Sequence, residues 1–365
     1  MKRIKTSCKL AVLLLIIIML TSCGPHGTAS PAEEGQAEEA VFTPAAEELE
    51  KHQRQVFAMD TIMTLTAYGP NAEQALTAAE ERILALEAQL DPASESGSVF
   101  ALNAAAGSWV VLSEDSYNIM STTMELWRAS GGALDPGIYP ISKAWGFIGG
   151  SYRVPSEREI NALLAAKDTG GILMDGESLS AMVPAGMEVA FGAVAKGYTA
   201  QAVVDLMRDM GVSSAILSLG GNVQTLGSAK PDGSRWKVAV QDPNDTGSYV
   251  GVLAVGEAAV VTSGGYQRYF EENGVTYIHI LDPETGYPVD NGLLSVTVVT
   301  DDGAEADALS TTLFVLGKDG ALAFYEERDD FELVLVTKDN EVIVTPGLAE
   351  AFTESGSEYT YVYLG

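Results

Sequence analysis

Both cysteines of this chain, Cys8 and Cys23, fall within its first 23 residues, so the long remainder has to fold with no disulfide to brace it. Such a fold depends on buried apolar surface. At 365 residues with 47% hydrophobic composition, the chain has enough of it for one large domain or two intimately joined lobes. Around the cysteines, Lys2, Arg3, Lys5 and Lys9 precede an apolar run from Leu10 to Leu20, which is the plan of an export signal. The run is shorter than the about 20 residues that span a bilayer as a helix.

The run ends in Leu20-Thr21-Ser22-Cys23-Gly24, which resembles the lipobox of bacterial lipoproteins. That resemblance implies a signal over residues 1–22, lipidation at Cys23, and a protein exported and anchored to the bacterial cell membrane; an ordinary cleaved signal is the alternative. Residues 23–54 are then rich in Pro, Ala, Gly and Glu, as in Ser30-Pro31-Ala32-Glu33-Glu34, and are expected to form a disordered acidic tether. The formal charge is −29, and loss of the basic leader makes it more negative still. A surface of that sign repels nucleic acid and has no attraction for anionic headgroups, so membrane attachment would rest on the lipid alone.

Folded sequence is expected over 55–365. Val56 to Met59 and Thr61 to Tyr68 alternate as strands, and Leu76, Ala79, Ile83, Leu86 and Leu90 recur at helical spacing, with Asn71 and Gln74 placed as a capping box and Asp91-Pro92 as the stop. Further helices are expected over Ser116–Arg128, Lys196–Met210 and Glu305–Leu316. Strands are expected over Ala215–Leu219, Leu294–Thr300 and Phe331–Thr337, and Tyr266–Glu271 with Val275–Leu281 form a hairpin about Asn273-Gly274, the pair favoured by a type I′ turn. Hairpin-paired strands interrupted by helices predict an α+β fold with antiparallel sheets and packed helices.

Five segments carry the chemistry. Gly192-Ala193-Val194-Ala195-Lys196-Gly197-Tyr198 opens a helix with small residues such as Gly197, which let the backbone approach a ligand closely, and with a lysine, a disposition that suits a bound anion and otherwise forms a plain tight turn. Leu219-Gly220-Gly221-Asn222 ends a strand on two glycines, which admit a phosphate or merely make a bulge. In Glu305-Ala306-Asp307-Ala308-Leu309-Ser310-Thr311, Asp307 and Thr311 share one helix face, and a carboxylate beside a hydroxyl suits Mg2+ or otherwise makes a plain solvated face. His279, before Asp282-Pro283, is the sole histidine of the folded part, since His26 and His52 lie in or beside the tether. Gly132 to Pro140 with Trp145-Gly146-Phe147 sets aromatics beside a glycine loop, as either a cofactor wall or buried core.

In their order along the chain these segments resemble the ApbE family of FAD:protein FMN transferases. The likeness runs from Met59 to about Gly317 and includes Met59-Asp60-Thr61, Leu102-Asn103, Leu134-Asp135-Pro136, Ala195-Lys196-Gly197-Tyr198, Thr262-Ser263-Gly264 and His279 to Gly286. It implies an α+β fold enclosing an FAD cleft, and Mg2+-dependent transfer of FMN from FAD to a threonine hydroxyl of a target flavoprotein with release of AMP. It further implies Mg2+ ligands Asp307, Thr311 and the carbonyl of Ala193, and FAD contacts at Met59, Ala133, Leu134, Asp135, Lys196 and His279 or Ile280. His279 is the candidate proton acceptor. The implied partners are flavin-carrying subunits of membrane redox complexes or extracellular flavoproteins. One position departs from the family pattern: Ala190 stands where an acidic residue is usual. A magnesium-dependent FAD pyrophosphatase and a non-enzymatic flavin-binding lipoprotein are the alternative functions.

Overall fold

The computed structural model describes residues 49–328 and 330–365; the expected export signal, Cys23 and most of the expected tether lie outside them. Folded chain begins earlier than expected, because the first strand runs Lys51–Ala58 and pairs along its whole length with Thr61–Tyr68. Its leading half is polar, so composition assigned it to the tether. Backbone pairing, which composition does not register, makes it strand.

Nine strands form the main sheet, in the spatial order Lys51–Ala58, Thr61–Tyr68, Ala215–Leu219, Asn222–Leu226, Ala259–Gly264, Leu293–Thr300, Glu332–Thr337, Glu341–Val344 and Thr360–Tyr363. All neighbours are antiparallel except the last pair. One face is covered by helices Ala72–Leu90, Ala195–Asp209 and Gly303–Glu326, whose apolar residues join the two larger core clusters. A three-stranded sheet, Phe352–Glu354, Tyr249–Val255 and Trp236–Gln241, covers the other face around Trp236 and Leu253. Leu293–Thr300 lies mid-sheet between both layers, which is why it is buried almost throughout, Ser295 and Thr297 included, instead of alternating between core and solvent.

The first helix buries Leu76, Ala79, Ile83, Leu86 and Leu90, as their spacing predicts. Its capping box does not form: the Asn71 side chain makes no cap and instead donates to the Met210 carbonyl at 2.9 Å. Gly303–Glu326 extends well past Leu316, with a break at Gly317, where φ is 75°. No helix among the described residues is long and apolar enough to cross a membrane.

The expected hairpin is shorter than its apolar pattern, Tyr269–Glu272 against Val275–Ile278, with Asn273 and Gly274 both at positive φ. It stands outside the main sheet and is held by rings. Phe270 stacks on Tyr277 at 5.1 Å, Trp145 lies 5.3 Å from Tyr277, and Trp145 Nε1 donates to the Gly286 carbonyl at 2.8 Å. His279 therefore sits just past the strand end, where the chain leaves the hairpin.

Candidate active site

The site is built where helix Ala195–Asp209 crosses helix Gly303–Glu326. For brevity these are the lysine helix and the aspartate helix. Their backbones meet at two glycines: a Cβ on Gly197 would lie 1.9 Å from the Gly303 carbonyl oxygen, and one on Gly303 would lie 2.5 Å from the Gly197 carbonyl oxygen. Sequence suggested that Gly197 lets a ligand approach; what approaches it is the other helix. The contact sets Asp307 against the first turn of the lysine helix. Val194, the N-cap residue, offers no side-chain acceptor, and Gly197 N–H instead donates to Asp307 Oδ2 at 2.8 Å.

Asp307 is buried, and among the described residues its second oxygen has no hydrogen-bond partner. One turn on, Thr311 Oγ1 lies 3.2 Å from Ser263 Oγ, which also pairs with Ser310 Oγ at 2.8 Å. Ser263 thus fixes the hydroxyl that the spacing had placed beside Asp307. The lysine helix carries no acidic residue in its first turn, so the positive end of its dipole and Lys196 act together. Beside them Gly192 opens onto free space.

The described residues contain no group of three or more His, Cys, Asp or Glu side chains that could hold a metal. One carboxylate, one hydroxyl and the Ala193 carbonyl remain. These are hard oxygen donors that fit Mg2+, which needs few protein ligands when water and phosphate oxygens complete its shell.

Leu134 and Ile280 belong to the large core cluster that also contains Ala306 and Leu309 of the aspartate helix, and Met59 and Ala193 pack against it. Met59 occupies a two-residue turn with φ of 50°, steadied by its N–H donating to Glu87 Oε1 at 2.6 Å, and Thr199 on the lysine helix donates to its sulfur at 3.8 Å. The side chains of Leu134 and Ile280 are buried in the core, the Leu134 N–H donates to Ser130 Oγ at 3.4 Å, and the Ile280 carbonyl accepts from Val289 N–H at 3.0 Å. Ala133 is half-buried beside them. Asp135 is occupied by protein donors: Gly137 N–H at 2.8 Å, Thr169 Oγ1 at 2.6 Å and Lys167 Nζ at 2.7 Å. Lys167 also donates to the Pro283 carbonyl at 2.7 Å, so this clamp ties the glycine loop to the Asp-Pro turn after His279.

His279 Nδ1 lies 3.1 Å from the Arg268 carbonyl oxygen. A carbonyl only accepts, so Nδ1 carries the proton and Nε2 keeps a free lone pair. Desolvation, helped by the Arg268 and Lys196 charges, lowers the imidazole pKa to about 4, so the ring is neutral at pH 7. Ala190, at the position of departure, donates its N–H to the Pro136 carbonyl at 3.1 Å and brings no charge to the loop.

Sequence reasoning missed Ser263 as the partner of Thr311, Glu87 as the brace of Met59, and a clamp on the lysine helix. In that clamp Tyr198 OH donates to Asp115 Oδ1 at 2.9 Å while Arg82 Nη1 donates to Asp115 Oδ2 at 2.8 Å. Asp115 and the burial of the ring raise the Tyr198 pKa to about 12. The Leu219 to Asn222 segment is neither bulge nor open loop but a two-residue hairpin turn, with Gly220 and Gly221 at φ of 61° and 104°.

Comparison with known proteins bears on the family and the fold. The ApbE family profile matches residues 59–335. An FAD:protein FMN transferase of Klebsiella pneumoniae (strain 342) is 35% identical over 269 residues, 72% of this chain and 82% of that protein. One from Treponema pallidum (strain Nichols) is 30% identical over 368 residues, 95% of this chain and 96% of its own. The crystal structure of the ApbE protein of Thermotoga maritima superposes with a TM-score of 0.77 at 28% identity, covering 84% of this chain and all of that one. The apo flavinyl transferase ApbE of Pseudomonas stutzeri gives 0.71 at 29%, covering 80% and 92%. With the profile spanning most of the folded chain and a relative matched nearly end to end, the chain belongs to the ApbE family.

Proposed function

We propose that this chain transfers FMN from FAD to a threonine hydroxyl of another protein, with Mg2+ held by Asp307, Thr311 and the Ala193 carbonyl. The observation that carries it is the Asp307 carboxylate brought to the acid-free N-terminus of a helix bearing Lys196, which is a site for a metal-held diphosphate. The relatives named as FAD:protein FMN transferases support the reaction class.

Mg2+ supplies charge neutralisation on the diphosphate. Asp307 and Thr311 would hold that charge in place from one helix face, while Lys196 and the positive end of its helix face the same phosphates. The acceptor oxygen forms a bond to the phosphorus on the FMN side, the bond from that phosphorus to the AMP oxygen breaks, and AMP departs. His279 Nε2 takes the hydroxyl proton. With a pKa of about 4 the ring is a weak base in the empty protein, and an anionic diphosphate beside it makes it more basic.

Incubation with FAD, Mg2+ and a candidate target domain, followed by mass measurement of the target and assay of AMP, tests the reading. AMP released at full rate with no acceptor and no labelled threonine would overturn it in favour of FAD hydrolysis. In the same assay His279→Ala lowers transfer about a hundredfold, the low end of what a positioned base supplies, while FAD affinity stays within a few fold. A parallel collapse of affinity would make His279 a binding residue only.

The proposed location is the outer side of the bacterial cell membrane, through lipid at Cys23, close to flavin-carrying redox subunits. It is supported by the leader and the Leu20 to Cys23 pattern. Cys23→Ser moves the protein from the membrane fraction to a soluble or unprocessed form; a variant still lipidated and anchored after processing contradicts the assignment.

A further inference from the structure

Asn222 is only 3% exposed, yet its Nδ2 has no hydrogen-bond partner. A buried amide donor left unpaired is costly, and such groups in folded proteins are few. The sequence placed Asn222 at the end of a glycine pair. The turn accounts for the glycines and leaves the asparagine unexplained.

Its place follows from register. On strand Asn222–Leu226, residues 222, 224 and 226 face the helices: Leu226 shares a cluster with Val203 and Met207, and Gln224 Nε2 donates to Gln201 Oε1. The strand therefore advances in the same sense as the lysine helix. Asn222 lies two residues, about 6.7 Å, before Gln224. Four to five helical residues cover about that rise, so Asn222 is level with Lys196 and Gly197. The aspartate helix gives the same answer, since Gly303 abuts Gln224 and Asp307 lies one turn beyond it. Neighbouring strand Ala259–Gly264 agrees, because its pairing of Val260 with Val223 sets Val261 across from Asn222 and Ser263, the partner of Thr311, one diagonal away.

We infer that Asn222 is a further substrate-binding residue, whose Nδ2–H donates to a diphosphate oxygen of the bound dinucleotide beside Asp307. The inference rests on the proposed function, which puts the diphosphate there. An amide suits the role because it adds a donor to the metal-bound phosphates without a further charge.

The test is binding of FAD and of riboflavin, which has no phosphate, to wild type, Asn222→Leu and Asn222→Asp in the presence of Mg2+, alongside thermal melts of each protein without ligand. Asn222→Leu is expected to leave the ligand-free melting temperature unchanged or higher, because it removes an unpaired buried donor, and to weaken FAD binding about tenfold with riboflavin affected less than twofold. Asn222→Asp is expected to weaken FAD binding further by setting a carboxylate against the diphosphate. Equal FAD affinity in wild type and Asn222→Leu overturns the inference while leaving the proposed function standing. A large fall in the melting temperature of both variants without ligand overturns it too, by making Asn222 a structural residue. If Asn222→Asp keeps FAD affinity and tightens Mg2+, the side chain serves metal-held water through its oxygen and the diphosphate contact is wrong. Failure of the wild type to bind FAD at all removes the proposed function itself.

Discussion

Asp307→Ala is expected to lower FMN transfer at least about a hundredfold, equivalent to about 2.7 kcal/mol of transition-state stabilisation. The side chain has two tasks. It is the one carboxylate in the proposed metal shell, and through Oδ2 it accepts the Gly197 N–H that the N-cap residue leaves unsatisfied. Alanine leaves a hydroxyl and a carbonyl to hold the cation, and strands a buried donor at the same time. Turnover measured against Mg2+ concentration separates the two effects, since lost metal affinity is partly recovered at high Mg2+ and a disordered helix start is not. Thr311→Val is expected to cost less, because a hydroxyl contributes no net charge. Unchanged turnover of Asp307→Ala at limiting Mg2+, with FAD still bound, would remove the aspartate helix from the site.

Gly197→Ala is expected to destabilise the fold by about 3 kcal/mol or more, the upper range for an overpacked contact, and to lower the melting temperature by roughly 5 °C. The added methyl would lie 1.9 Å from the Gly303 carbonyl oxygen and 2.5 Å from Asp307 Cβ. Most of what it meets is backbone, which cannot turn aside as a side chain does. Helix propensity alone predicts the opposite sign, a gain of about 1 kcal/mol for alanine over glycine in a helix interior. The sign of the shift in a thermal melt therefore decides between the two, and an unchanged or raised melting temperature would show that the helices do not cross at this glycine. FAD binding should fall along with stability, because forcing the helices apart carries Asp307 away from Lys196.

The parts of this fold that were legible in the sequence are those whose partners are generic. Thr61–Tyr68 and Ala215–Leu219 have the bounds that their alternation predicts, and Leu76 to Leu90 bury the face that their spacing marks out. Any apolar layer satisfies such patterns, so the residue's own neighbours suffice to read them. Specific pairings were not legible. Asn71 had the look of a cap, but the Met210 carbonyl, 139 residues away, took its side chain. Lys167 joins Asp135 and Pro283 across 32 and 116 residues, and nothing local to it announces either.

The site shows the same division. Asp307, Thr311 and Lys196 stood out as candidates from spacing and helix position, and family likeness supplied the roles proposed for them. The tautomer of His279 was not legible, because it is set by the Arg268 carbonyl just before the facing strand Tyr269–Glu272. Gly197 was noticed for the right property, its lack of a side chain, and given the wrong neighbour. Close approach can be read from a glycine, but what approaches depends on a helix that begins 106 residues later.

The main sheet takes in the chain at one edge, Lys51–Ala58, and releases it at the other, Thr360–Tyr363. Eight strand spacings separate the two edges, about 38 Å at 4.8 Å each. A circular permutant that joined residue 365 to residue 51 would need a linker of at least about eleven extended residues merely to reach along that line, and more to pass around the helices. The same span makes Lys51 and Thr360 a useful pair for distance-sensitive fluorescent labels, because a sheet that opened or lost an edge strand would change their separation at once. Fusion partners attached after residue 365 would sit on the far edge from the tether, clear of the strand that leads into Met59.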